Sequence, residues 1–178
     1  LLDPAPGHYN DRMTFPDRQD TQRGLMPMTL ADEQATAGLG RRLAGLARPR
    51  DVIALRGGLG LGKTTLARAF IQAFTDSAEE VPSPTFTLVQ TYDAPRGTVW
   101  HIDAYRLKAP DEIWELGFEE ALADAILLIE WPEKLGPHLP AKRLDLTLEP
   151  GATPQSRHVR LEGAPGTDWT TRLEGSAP

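Results

Sequence analysis

The chain has 178 residues, no cysteine and a formal net charge of −6. Without cysteine, disulfide scaffolds and cysteine–zinc centres are excluded, and an acidic balance argues against strong autonomous nucleic-acid binding, which draws on a surplus of Lys and Arg. A hydrophobic share of 40%, no run near the roughly 18 apolar residues of a membrane helix, and no basic-then-apolar start of the signal-peptide kind together lead to the expectation of a cytoplasmic α/β domain with modest extensions.

Residues 1–27 hold Pro4, Pro6, Gly7, Pro16, Gly24 and Pro27 with little apolar periodicity. They read as an N-terminal extension without firm order. Thr29 has the form of a helix N-cap, with Asp32 three residues on, and Ala35, Leu39, Leu43 and Leu46 follow at helical spacing up to Pro49. The run Asp51–Arg56 (DVIALR) reads as a strand buried on both faces. After a glycine-rich loop, Leu66, Ala69, Phe70, Ala73 and Phe74 mark one helical face. A Pro-Ser-Pro corner at 82–84 leads into Thr85–Tyr92, rich in strand formers, and Thr98–Asp103 (TVWHID) is a second strand. Pro110–Ala123 reads as helix broken at Gly117, and Ile126–Glu130 (ILLIE) as a buried strand stopped by Pro132. Leu144–Leu148 and His158–Leu161 suit an antiparallel pair, and the last dozen residues read as a frayed tail. The domain is therefore expected over 28–162, with a tail over 163–178. The order of elements predicts a three-layer α/β fold with a mixed, mainly parallel central sheet.

The loop Gly57-Gly58-Leu59-Gly60-Leu61-Gly62-Lys63-Thr64-Thr65 has the spacing of a phosphate loop. Its glycines let successive amides converge on one anion, and the following helix adds its positive end. Lys63 supplies a mobile cation for the terminal phosphates, and the Thr64 hydroxyl suits a Mg²⁺ ion. Gly58, Leu59, Gly60, Leu61, Gly62 and Thr65 complete the expected nucleotide cradle. The only asparagine is Asn10, so a guanine-reading Asn-Lys-x-Asp motif is absent and ATP is favoured by elimination. An acid at a neighbouring strand tip is required to hold the magnesium shell. Asp103 and Glu130 both end apolar strands, one to hold the ion and the other to orient or deprotonate a water. Ser83-Pro84-Thr85 lies where nucleotide switches carry a phosphate-sensing hydroxyl, though a simple proline corner reads equally well. His101, two residues before Asp103, shares its strand face and reads as a core histidine rather than a ligand. Trp131 suits either base stacking or core packing.

Eight carboxylates and no Lys or Arg lie between Asp111 and Glu133. They form either a solvated face or a docking surface for a basic partner.

The set GGLGLGKTT, SPTFTLVQTY, HIDAYRL, LGFEEAL and IEWPEKL resembles, in order and spacing, the TsaE family, over roughly residues 28–162. The phosphate loop is common to many families, whereas SPTF with HxDxYRL and IEWPE is far more specific. The resemblance implies a P-loop ATPase of tRNA N6-threonylcarbamoyladenosine synthesis that hydrolyses ATP in concert with a TsaD–TsaB complex and meets tRNA only through it. Carried over by position, Lys63 binds phosphate, Thr64 magnesium, Asp103 is the Walker-B-like acid, Glu130 the second essential acid, Thr85 a switch residue, and Trp131 a neighbour of the nucleotide or the partner. Gly58, Leu61 and Ala104 depart from the family pattern without touching an implied ligand. A small-molecule or nucleoside kinase is the first rival, since Asp103 and Arg106 form an Asp-x-x-Arg; residues 107–141 contain only Lys108 and Lys134 as bases, too few for an Arg-rich lid. A non-catalytic nucleotide-sensing assembly factor is the second. No arginine finger is evident, with Arg56 and Arg106 the candidates.

Overall fold

A computed structural model of the chain describes residues 13–14, 25–78 and 80–176. Among them one sheet of eight strands runs in the order β1-β2-β8-β7-β3-β6-β5-β4. The strands are β1 (Met13–Thr14), β2 (Leu25–Leu30), β3 (Val52–Arg56), β4 (Val89–Ala94), β5 (Gly97–Asp103), β6 (Ile126–Glu130), β7 (Leu144–Pro150) and β8 (Arg157–Gly163). The four inner strands β7, β3, β6 and β5 are parallel. The outer strands add to them antiparallel, β8, β2 and β1 on one flank and β4 on the other. Helices α1 (Glu33–Leu46), α2 (Lys63–Thr75) and α4 (Trp169–Gly175) cover one face. Helix α3 (Phe118–Asp124) and 3-10 turns over Pro110–Leu116 and Pro132–His138 cover the other. This is the three-layer α/β arrangement that the alternation of elements predicts.

Strand alternation sorts the core into two layers. From β6, Ile126 and Leu128 pack toward α1 and α2, whereas Leu127 and Ile129 pack toward α3. From β5, Val99 joins the first layer and Ile102 the second. Parity continues to the strand ends: Glu130 lies in step with Ile126 and Leu128, and Asp103 in step with Val99 and His101. Both carboxylates are therefore set toward the α2 side. The register pairs Asp103 directly with Glu130. Helices α1 and α2 pack closely because Gly40 has no side chain, since a Cβ there would lie 2.4 Å from the Leu66 carbonyl oxygen.

Several local expectations are corrected. The cap of α1 is Asp32, whose carboxylate accepts from the Ala35 amide at 2.9 Å. Thr29 is instead inside β2, because residues 25–30 find a strand partner in β8. Residues 25–27 of the expected extension therefore belong to the sheet; most of the remainder lies outside the described residues. The β-forming run at 85–92 becomes strand only at Val89, since the Leu88 amide bonds back to the Pro84 carbonyl at 2.6 Å and turns the chain first. On α2, Ala73 is exposed, whereas Ala67 and Ile71 are buried. The stretch before Gly117 is 3-10 rather than α-helical, and Gly117 breaks it at φ 80° as expected.

The expected frayed tail forms α4. Trp169 is 1% exposed and Leu173 is also buried. Arg172 donates to both Asp51 carboxylate oxygens at 2.7 and 2.9 Å, anchoring α4 just before β3. Its guanidinium also lies 3.8 Å over the Trp169 ring. Hydrophobic periodicity over so short a helix is too brief to detect, which is why composition alone suggested a tail. Trp169→Ala should lower stability by about 3–5 kcal/mol, the usual cost of emptying a buried aromatic site. Urea unfolding measures it, and an unchanged midpoint would mean that α4 does not contribute to the folded core.

Candidate functional site

The loop from β3 to α2 follows from its glycines. Gly57, Gly60 and Gly62 have φ of 136°, 74° and 100°, values that side chains disfavour. At Gly57 there is also no room, because a Cβ would lie 2.6 Å from the Leu148 carbonyl oxygen. Gly62 is the N-cap of α2 and provides no side-chain cap, so the first amides of the helix have no such partner at that end.

Lys63 is 4% exposed, and its ammonium donates to the Gly57 and Gly58 carbonyls at 2.8 Å each. The same ammonium lies 4.0 Å above the Trp131 ring. Burial pushes the Lys63 pKa below the ordinary lysine value, while the charges of Glu130, Asp103 and Glu133 pull against that shift. An anion at the loop would add to that pull and favour the charged form.

Both candidate acids are buried, Asp103 at 4% and Glu130 at 2% exposure. Their partners differ. The Thr64 hydroxyl lies 3.0 Å from each Glu130 oxygen, and His101 Nε2 lies 2.8 Å from Glu130 Oε1. Asp103 instead accepts from the Thr85 hydroxyl at 2.7 Å and from the Tyr105 amide at 3.0 Å. Ser83 and Thr85 hydroxyls are 2.7 Å apart, so the Pro-Ser-Pro corner is tied to the end of β5 through Asp103. Trp131, just beyond Glu130, has a left-handed backbone at φ 57° and its ring packs 4.9 Å from that of Tyr105.

These groups line one cavity of about 310 Å³, formed by Leu59, Gly60, Gly62, Lys63, Thr64, Thr65, Ser83, Thr85, Asp103, Glu130 and Trp131. The structure thus brings together every sequence-predicted site residue except Gly58 and Leu61, which do not line it. Gly58 contributes its carbonyl to Lys63, and Leu61 packs partly against the core. The donors are hydroxyl and carboxylate oxygens, a hard set that suits Mg²⁺, which takes one or two carboxylates and fills its shell with water and phosphate. Among the described residues there is no cluster of three or more His, Cys, Asp or Glu side chains fit to hold a metal alone. A second cavity of about 520 Å³ opens on the other side of the loop, lined in part by Asp32, Gln34, Thr36, Thr65 and Arg157.

One residue of this neighbourhood, Arg157, escapes sequence reasoning, and one contact, that of His101 with Glu130, does too. Arg157, at the start of β8, donates to the Leu61 carbonyl at 3.1 Å and approaches that of Gly60 at 3.5 Å. It ties the far flank of the sheet to the loop, a contact 96 residues apart in sequence with no local signal. His101 was placed on the correct strand face, yet its bond to Glu130 depends on the β5–β6 register, which the sequence does not display. The arginine-finger candidates are outside the cavity lining: Arg56 is paired to Asp145 at 2.8 Å, and Arg106 stacks 4.5 Å over Phe86. The acidic stretch divides. Asp111, Glu115, Glu119, Glu120, Asp124 and Glu133 are exposed and Glu112 is half-buried, whereas Glu130 is part of the site.

The family described as "Threonylcarbamoyl adenosine biosynthesis protein TsaE" matches residues 30–159. The chain is similar to the tRNA threonylcarbamoyladenosine biosynthesis protein TsaE of Rickettsia conorii, 45% identical over 68% of this chain and 69% of that one. The protein of the same description from Rickettsia bellii is 41% identical over 67% of this chain and 83% of its own. In fold, the chain is similar to the crystal structure of Bacillus subtilus YdiB, with a TM-score of 0.69, 23% identity, and coverage of 85% and 93% of the two chains. Among the described residues no helix is long and apolar enough to cross a membrane.

Arg157→Ala should free the Gly60–Leu61 carbonyls and lower stability by about 1.5–3 kcal/mol, the range for a hydrogen bond to a charged group. Arg157→Lys should recover little, because an ammonium lacks the planar fork. Urea unfolding checks both, and a wild-type midpoint in the alanine variant would mean that the tether does not hold the loop.

Proposed function

This chain belongs to the TsaE family of tRNA threonylcarbamoyladenosine biosynthesis, and we propose that within that pathway it is a P-loop ATPase. It binds ATP with Mg²⁺ and cleaves the terminal phosphate to change the state of a TsaD–TsaB-like partner complex. The observation that carries this reading is the convergence of Lys63, Thr64, Thr85, Asp103 and Glu130 on one cavity at the mouth of a strand–loop–helix phosphate cradle. The loop amides and Lys63 take the phosphates, with the ammonium leaving its two carbonyl partners for the stronger charge. The nucleoside enters the larger cavity beyond Thr65, which has Asp32 and Gln34 on its wall.

The two acids divide the work. In a phosphate loop the Thr64 hydroxyl is the metal-side hydroxyl, and here its acid partner is Glu130 rather than Asp103. This favours Glu130 with Thr64 as the holders of Mg²⁺, which supplies charge neutralisation for the terminal phosphate. Asp103, joined to Thr85, orients or deprotonates the attacking water and links the Ser83–Thr85 corner to occupancy of the site. The Walker-B-like place implied for Asp103 is thus reassigned to Glu130 within the proposal. With Arg56 and Arg106 outside the cavity, a group from the partner completes the charge stabilisation, so turnover alone is low. The net charge of −6 fits contact with tRNA through the complex rather than directly. Exposed acids of residues 111–124 offer a salt-sensitive surface to a basic partner.

Phosphate release measured with and without the purified partner pair tests the reading, and stimulation is expected. Label appearing on a small acceptor would favour a kinase, and assembly without hydrolysis a sensing factor. Lys63→Ala should weaken ATP binding about 10–100-fold, the range for a lost charged hydrogen bond. Glu130→Gln and Asp103→Asn should each slow hydrolysis by about 10²–10⁴-fold. Glu130→Gln alone should raise the Mg²⁺ concentration needed for half-maximal rate. The opposite pattern would return the metal to Asp103.

A further inference from the structure

We propose that His101 is the positioning residue for Glu130: its Nε2–H fixes the second carboxylate contact beside the Thr64 hydroxyl, and so sets the affinity of the site for Mg²⁺. This rests on the magnesium-dependent reading above. His101 is 0% exposed in the middle of β5, and its Nε2 lies 2.8 Å from Glu130 Oε1. An ionised carboxylate only accepts hydrogen bonds, so Nε2 carries the hydrogen. The other ring nitrogen, Nδ1, is buried with no hydrogen-bond partner. An aliphatic side chain at this point would leave no such unpaired atom, so packing alone does not call for imidazole; its polarity is used on one side only, toward Glu130.

Glu130 has two side-chain hydrogen-bond partners among the described residues, Thr64 and His101. A hydroxyl ligates a cation through an oxygen lone pair and has one hydrogen to donate, so Thr64, which faces both Glu130 oxygens, holds only one of them. His101 is the second anchor, and it sits on a strand rather than on the loop. Residues that orient a metal-binding carboxylate in this way typically account for 10–100-fold in metal affinity.

The test compares His101→Leu, His101→Gln, His101→Asn, Glu130→Gln and the His101→Leu/Glu130→Gln double variant, each with the partner complex. Expected for His101→Leu is a Mg²⁺ requirement raised about 10–100-fold, with ADP affinity in the absence of Mg²⁺ unchanged. Glutamine places an amide near the Nε2 position and should restore the requirement to within about threefold, whereas asparagine is too short and should resemble leucine. The double variant should be no worse than Glu130→Gln, because both changes act on one interaction. Calorimetry of Mg²⁺ binding in the presence of ADP provides a readout without turnover. In the wild type, the ring ¹⁵N signal should be that of the Nε2-protonated tautomer and should shift in Glu130→Gln. A leucine variant with unchanged Mg²⁺ affinity, a double variant with additive loss, or a wild-type ring protonated at Nδ1 alone would overturn the proposal. Failure of leucine to fold is covered by the glutamine–asparagine pair. Absence of any ATP turnover in the wild type would defeat the ATPase reading, while the ADP–Mg²⁺ and ring measurements would still decide this one.

Discussion

One ammonium and two carboxylates, each less than 5% exposed, share the mouth of the parallel sheet, and the rest of the site is arranged around that concentration of charge. Buried charge is costly unless each group is paired or hydrogen-bonded. Here Lys63 spends its donors on two loop carbonyls and an aromatic face. Glu130 collects Thr64 and His101, and Asp103 collects Thr85 and a backbone amide. No direct ion pair joins Lys63 to either acid. Each of the three charges is instead held by uncharged partners, which a charged ligand would displace. A site of this kind is held ready rather than satisfied.

The sheet makes that arrangement cheap to specify. Parallel strands β3, β6 and β5 end together, and the Asp103–Glu130 register places the acids side by side. Side-chain parity then turns them toward α2, where Lys63 and Thr64 begin the helix. The antiparallel strands outside this centre do other work. Strand β8 supplies Arg157 to brace the loop, while α4 closes the first core layer through Trp169.

Much of this was legible from the residues. The glycine loop, the ILLIE and TVWHID strands, the break at Gly117 and the closing antiparallel pair all follow from local patterns with a physical cause. The three-layer fold follows from their order. What was not legible depends on distant pairing. Residues 25–30 became a strand instead of a helix entry because β8 lies beside them, and Thr29 lost its cap role for that reason. The terminal helix is too short to advertise a period, and its anchoring depends on an arginine meeting Asp51 from the other end of the chain. In the site, sequence located both acids but not their partners: the Thr64–Glu130, His101–Glu130 and Arg157–loop contacts exist only once strand order and register are known.

Trp131 carries a further consequence. A tryptophan in the left-handed region gives up about 1–3 kcal/mol of backbone ease, and its indole rests on the one cation that a triphosphate would draw away. A ligand that drew the ammonium away would leave the indole without its electrostatic companion. An intrinsic fluorophore therefore stands 4.0 Å from the Lys63 ammonium, and its share of the emission of the four tryptophans would change if that lysine moved.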